Sequence, residues 1–113
     1  MRVLNATRSV LLGDTIAVAD TSHTRRTGLL KHSSLEAGGG LWIAPCEAVH
    51  TFGMKFSIDI LFLSKKKKVL KVRTDMPKRR FAICLRAHSV LELPAGTIAS
   101  TATAPGDQLE FER

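Results

Sequence analysis

A chain of 113 residues with 44% hydrophobic and 24% charged residues has the size and balance of one globular domain, which excludes the disordered and low-complexity classes; surface scaling leaves about 6,100 Å² exposed and buries roughly two-thirds of the unfolded surface. The formal net charge of +7 sits in one stretch: residues 65–86 hold ten bases and the single acid Asp75, while the rest of the chain carries seven bases and nine acids. No apolar run approaches the roughly 18 residues of a membrane span, and Arg8, Asp14 and Asp20 interrupt any signal-peptide reading, so the expected location is cytoplasmic.

From the N-terminus, strands are predicted at Arg2 to Asn5, Val10 to Leu12 and Thr15 to Ala19, with Gly13-Asp14 as a turn. A short helix is predicted from about Ser22 to His32. Asp20, Thr21 or Ser22 can cap its start, Leu29 and Leu30 can pack inward, and Gly28 weakens its end. After Gly38-Gly39-Gly40 comes a strand at Leu41 to Ala44, and then the most apolar strand, Lys55 to Leu63. In it Phe56, Ile58, Ile60 and Phe62 share a core face, while Lys55, Ser57, Asp59, Leu61 and Leu63 alternate to the other. A hairpin through Ser64 and four lysines leads to Val69 to Arg73, although its turn lacks an Asn-Gly or Asp-Gly pair. Further strands are predicted at Phe81 to Arg86, Val90 to Leu93, Thr97 to Thr101 and Gln108 to Glu112, separated by Pro94-Ala95-Gly96 and Pro105-Gly106-Asp107. Short strands at close spacing predict one mainly β domain over residues 1–113, a sandwich or barrel with one short helix.

Several residues are not explained by packing. Asp59 between Ile58 and Ile60, and Glu92 between Leu91 and Leu93, place carboxylates in apolar strands, where each needs a hydrogen-bond partner or a ligand. His50 precedes Gly53, a position for a bend or close backbone approach, and is either a hydrogen-bonded anchor or a pH-sensitive group. Cys46, four residues before His50, invites a Cys-His-Asp nucleophile with Asp59, but no glycine-framed elbow or cysteine-protease signature accompanies it. A small buried thiol is the simpler role for Cys46, and both Cys46 and Cys84 are expected to be reduced, because two cysteines are too few for a secreted disulfide framework. Four histidines and two cysteines never reach paired metal-ligand spacing, so no metal or cofactor is expected. Arg25 and Arg26 can pair with Asp59 or Glu92 or face an anionic ligand.

The basic stretch begins with Lys65, Lys66, Lys67, Lys68, Lys71 and Arg73 and continues through Lys78, Arg79, Arg80 and Arg86. It could neutralise phosphates. With no Tyr, one Trp and most Phe residues at core positions, stacking platforms are scarce, which favours a solvated face or one that steers an acidic protein over sequence-specific nucleic-acid recognition.

Five motifs in order carry a family resemblance: Arg25-Arg26-Thr27-Gly28-Leu29-Leu30; Gly40-Leu41-Trp42-Ile43; the run from Val49 to Leu63; Val90-Leu91-Glu92-Leu93-Pro94-Ala95-Gly96; and Pro105-Gly106-Asp107. The chain resembles the domain-of-unknown-function family numbered 192, small prokaryotic mainly β proteins, over about residues 20 to 111. The resemblance implies a jelly-roll-like β-sandwich and no assigned activity. Lys78 stands where relatives usually carry Trp, and Ser57 where Pro is common. Together these readings predict a non-catalytic binding or accessory module, with a polar recess of His50, Asp59, Glu92, Arg25 and Arg79 beside a basic surface and with an acidic protein or anionic ligand as partner. Two alternatives are a small hydrolase or transferase using His50 with Asp59 or Cys46, and an electrostatic nucleic-acid binder acting through residues 65–86.

Overall fold

The computed structural model describes residues 1–29 and 32–113 and is mainly β. In chain order the elements are β1 (Arg2–Asn5), β2 (Val10–Gly13), β3 (Thr15–Ala19), α1 (Ser22–Thr27), β4 (Gly39–Ile43), β5 (Ala48–His50), β6 (Ile58–Leu63), β7 (Val69–Met76), β8 (Phe81–Ile83), β9 (Ser89–Pro94), α2 (Thr97–Thr101) and β10 (Leu109–Glu112). A five-stranded sheet of order β3-β4-β9-β6-β7 forms the middle layer, parallel between β3 and β4 and antiparallel elsewhere. The three-stranded sheet β10-β1-β2 and the ribbon β5-β8 complete the strands.

The layers follow from the apolar pattern of the central strands. Strands buried on both faces read as nearly continuous apolar runs, and all six residues of β6 are buried. Ile58, Ile60 and Phe62 face one core, together with Leu41 and Ile43 of β4, Val90 of β9, Val49 of β5, and Ala82 and Cys84 on and just after β8. Leu61 and Leu63 face a second core, with Trp42, Leu91 and Leu93 from the same sheet, Val3, Leu12 and Leu109 from the three-stranded sheet, and Ile98 of α2. The ribbon and the end of α1 therefore cover one face of the central sheet. The three-stranded sheet and α2 cover the other.

Close approach within the central sheet needs Gly40 of β4: a Cβ there would lie 2.6 Å from the carbonyl oxygen of Glu92 on β9 and 2.8 Å from Cδ1 of Ile16 on β3. The lysine turn is also ordered by the backbone. Ser64 N–H donates to the Lys68 carbonyl, Lys67 N–H donates to the Ser64 carbonyl, and Lys67 takes φ 69°, the left-handed residue that closes this class of hairpin.

The strands at Arg2 to Asn5 and Thr15 to Ala19 match their expected limits, and others shift by a few residues. The strand expected from Lys55 starts at Ile58, β7 runs on to Met76, and β8 stops at Ile83. α1 is capped by Thr21 in a reciprocal box with Thr24 and ends at Gly28, whose φ is 49°. The expected inward packing of Leu29 is present, while Leu30 lies outside the described residues. Two differences are larger. β5 is absent from the predicted strands, and Thr97–Thr101, expected as a strand, is the helix α2, so there are two short helices rather than one. β-Branched Thr97, Ile98 and Thr101 mimic a strand locally, but the left-handed Gly96 turns the chain and Ser100 N–H closes a helical turn on the Gly96 carbonyl.

Candidate functional site

Alternation on β9 fixes which way its carboxylate points. Val90 faces the core under the ribbon and Leu91 and Leu93 face the opposite core, so Glu92 projects to the ribbon side. There, a recess of about 80 Å³ opens between the end of α1, β4, β5 and β9. Its buried wall is Leu29, Ile43, Val49, Met54 and Glu92, half-buried Arg25, Thr27 and Cys46 come next, and exposed Arg26 and His50 stand at the rim.

Glu92 is 3% exposed, and no side chain or backbone amide among the described residues bonds its carboxyl. Burial alone pushes its pKa up to about 7, so it carries a proton much of the time at neutral pH. Arg25 does not neutralise it: its guanidinium donates to the Asp20 carbonyl at 3.0 Å. The Cys46 thiol donates to the Ala48 carbonyl at 3.1 Å. Its pKa is raised by burial, which outweighs the lowering effect of that hydrogen bond; the nearby Glu92 carboxylate adds to the rise and Arg25 opposes it. This environment suppresses the thiolate that a nucleophilic cysteine requires.

The fold thus gathers Arg25, His50 and Glu92 and adds Cys46, Arg26 and Met54. Asp59 is not among them. It sits one strand over on the opposite face of the sheet, beside Leu61, where its two oxygens accept the Asp75 amide at 2.7 Å and the Ile98 amide at 2.8 Å. Register shows the separation directly, since Ile60 rather than Asp59 lies opposite Glu92. Arg79 is exposed in the turn between β7 and β8, at φ 60°, and does not line the recess. His50 ends β5 opposite Phe81, with its ring 5.7 Å from that of Phe52, and its imidazole makes no hydrogen bond among the described residues. Gly53, at φ 82°, forms the expected bend. That bend is held by Thr51, fully buried, whose hydroxyl donates to the Pro77 carbonyl at 2.6 Å and accepts the Arg80 amide at 2.8 Å.

The basic stretch does not form one face. Lys67 places its ammonium 5.0 Å from the ring centre of Trp42 and 5.5 Å from that of Phe111, on the side of the three-stranded sheet. Lys71 turns to the ribbon, donating to the Ile83 carbonyl at 2.8 Å above the Phe62 ring. Lys65, Lys66 and Lys68 are exposed in the hairpin turn, and Arg73 is half-buried on β7. No cluster of three or more His, Cys, Asp or Glu suited to a metal ion occurs among the described residues.

Comparison with known proteins accords with this fold. Residues 3–111 match the family model DUF192, described as an uncharacterized ACR. A UPF0127 protein of Pyrococcus abyssi is 29% identical over 114 residues, covering 96% of each chain, and one of Thermococcus sibiricus is 26% identical over 115 residues, covering 97% of this chain and 74% of that one. A crystal structure of a protein of unknown function from Novosphingobium aromaticivorans superposes with a TM-score of 0.84 at 19% identity, over 98% of this chain and 84% of that one. A second, from Sinorhizobium meliloti 1021, gives 0.83 at 20% identity, over 96% and 89%. At these identities the likeness is one of fold.

Proposed function

Since the chain belongs to the DUF192 family, which carries no assigned activity, we propose from its own geometry that it is a non-catalytic binding module whose recess takes a small polar ligand. The observation that carries this reading is the Glu92 carboxyl, nine-tenths buried, lining a recess, with no partner among the described residues. A buried carboxyl without hydrogen bonds is costly. A ligand ammonium or amide N–H would satisfy it, and an anionic or carbonyl group on the same ligand would meet Arg25 and Arg26 at the rim. A compact zwitterion has both. The raised Cys46 pKa favours binding over nucleophilic chemistry.

The test is a titration with a panel of free amino acids and small amines at pH 8, followed by amide chemical shifts and thermal shift. At least one compound is expected to perturb residues 25–29, 46–50 and 92 and to raise the melting temperature. Both responses should be lost in Glu92→Gln and weakened in Arg25→Ala. If the whole panel leaves these resonances unmoved at millimolar concentration, the recess is structural and the reading is wrong.

A further inference from the structure

The ribbon β5-β8 has an inner and an outer face set by strand alternation. Val49 and Ala82, paired across it, point into the core, so their neighbours His50 and Phe81 point out. The outward side chains are strongly apolar. Phe81 is 56% exposed, Ile83 41%, Leu85 72%, and Phe52, which packs on His50, 53%. Of the five large exposed hydrophobic residues among those described, four cluster here and only Leu11 lies elsewhere. Such clustering on one small face calls for a partner, whereas scattered exposed residues do not.

The charge around this face is mostly positive. The segments that build it, residues 48–58 and 76–91, contain Lys55, Lys78, Arg79, Arg80 and Arg86 and no Asp or Glu; of the four acids that flank them, Asp59 and Glu92 are buried and Glu47 and Asp75 are exposed. All five bases are exposed. Thr51 fixes the turn carrying Lys78, Arg79 and Arg80 to the loop carrying Phe52, through its bonds to Pro77 and Arg80. Lys71 adds its ammonium at the free edge of β8, on the Ile83 carbonyl. Apolar side chains and bases thus share one platform.

We infer that this platform docks the protein peripherally on an anionic lipid surface, with Phe52, Phe81, Ile83 and Leu85 entering the interface and the bases lying on the headgroups. Three observations select this occupant. A phosphate-backbone ligand would use the bases and leave the aliphatic Ile83 and Leu85 in water. A second copy packed face to face would bring five bases against five like charges. The apolar side chains also protrude and line neither the recess nor the shallow depressions around Cys46 and α1, and a bilayer accepts protruding groups without the shape complementarity that a peptide groove needs.

The experiment is flotation of the full chain with vesicles of phosphatidylcholine alone or mixed three to one with phosphatidylglycerol. Binding is expected to the anionic vesicles only, to weaken at high salt, and to fall roughly tenfold in the double variant Phe81→Ser, Leu85→Ser and also in Arg79→Gln, Arg80→Gln. Leu85→Ser alone, at the most exposed position, serves as a variant that leaves folding intact, checked by its melting temperature. Absence of binding to anionic vesicles at low salt overturns the inference. So does binding that ignores the serine variants, which is charge attraction alone, and so does a dimer in light scattering that the serine variants dissolve, which makes the occupant a second copy. Retention by an acidic protein resin, lost in the serine variants while vesicles remain unbound, likewise assigns the face to a protein.

Discussion

Two carboxylates in adjacent strands of one sheet meet opposite fates, because a strand alternates its faces. Asp59 points where two backbone amides await it, and Glu92 points into a recess that offers none among the described residues. The consequence for Glu92 is a pH dependence of unusual sign. Its ordinary value is 4.5 and its folded value about 7, so between these the folded state holds the proton more tightly than the unfolded chain does. Its contribution to stability is present below about pH 4.5 and is lost as pH rises through 7. Glu92→Gln is therefore expected to match the wild type in urea unfolding at pH 4 and to exceed it at pH 8, by on the order of 3 kcal/mol at most. A glutamine variant less stable than the wild type at pH 8 contradicts burial as the origin of the shift. Retaining a group that costs stability at neutral pH is common where a site is built for binding.

At the scale of elements, Asp59 explains how α2 exists at all. A five-residue helix is marginal alone, and its N-cap Gly96 has no side chain to hold the first amides. Asp59 supplies the missing acceptor from β6 to the Ile98 amide and ties the Asp75 amide of β7 with its other oxygen. Asp59→Ala is expected to cost about 2–4 kcal/mol in urea unfolding, because two amides lose their acceptor at once. A loss under about 1 kcal/mol shows that water or relaxation replaces it. Much of this was legible in the sequence. The alternation of Ile58, Ile60 and Phe62 against Leu61 and Leu63 marked both faces of β6, and the isolation of Asp59 and Glu92 among apolar neighbours flagged both. What could not be read was tertiary. The cap on α2 comes from 39 positions away, β5 is three residues long and gains its identity only by pairing with β8, and separating Asp59 from Glu92 required a register that local pattern does not contain. Likewise, the lysine run reads as one patch along the chain but is divided when Lys67 and Lys71 go to different faces.

Across the whole molecule, the two ends of the chain are joined by more than the β1-β10 ladder. Asn5, fully buried, donates to Asp107 at 2.9 Å and to Thr103 at 3.1 Å, and Arg8 donates to Asp107 at 2.9 Å. The Arg8 hydrogen bond, with help from Asn5 and the Ala104 amide, holds the Asp107 carboxyl down at about 2 from its ordinary 3.8. The stabilisation is present above about pH 3.8 and is lost as pH falls towards 2. Asp107→Asn is expected to lower the melting temperature at pH 6 and to narrow its gap to the wild type near the folded pKa of about 2. An unchanged gap at both values places the stabilisation elsewhere.

The position of β9 between β4 and β6 governs the order in which this structure can assemble. Among the described strands, only the β1-β2 and β6-β7 pairs are hairpins, whereas β4-β9 and β1-β10 join distant parts of the chain, such as Leu41 with Glu92 and Arg2 with Glu112. Loop closure dominates such a search, so folding belongs with slow, long-range β topologies, on the order of milliseconds to seconds. Until β9 arrives, β4 and β6 each present an open apolar edge, the species most exposed to mispairing with another chain. The strand that ends this exposure is the one that carries Glu92. Completing the sheet and walling the recess therefore require the same strand, and a form of the chain without β9 in place lacks the recess.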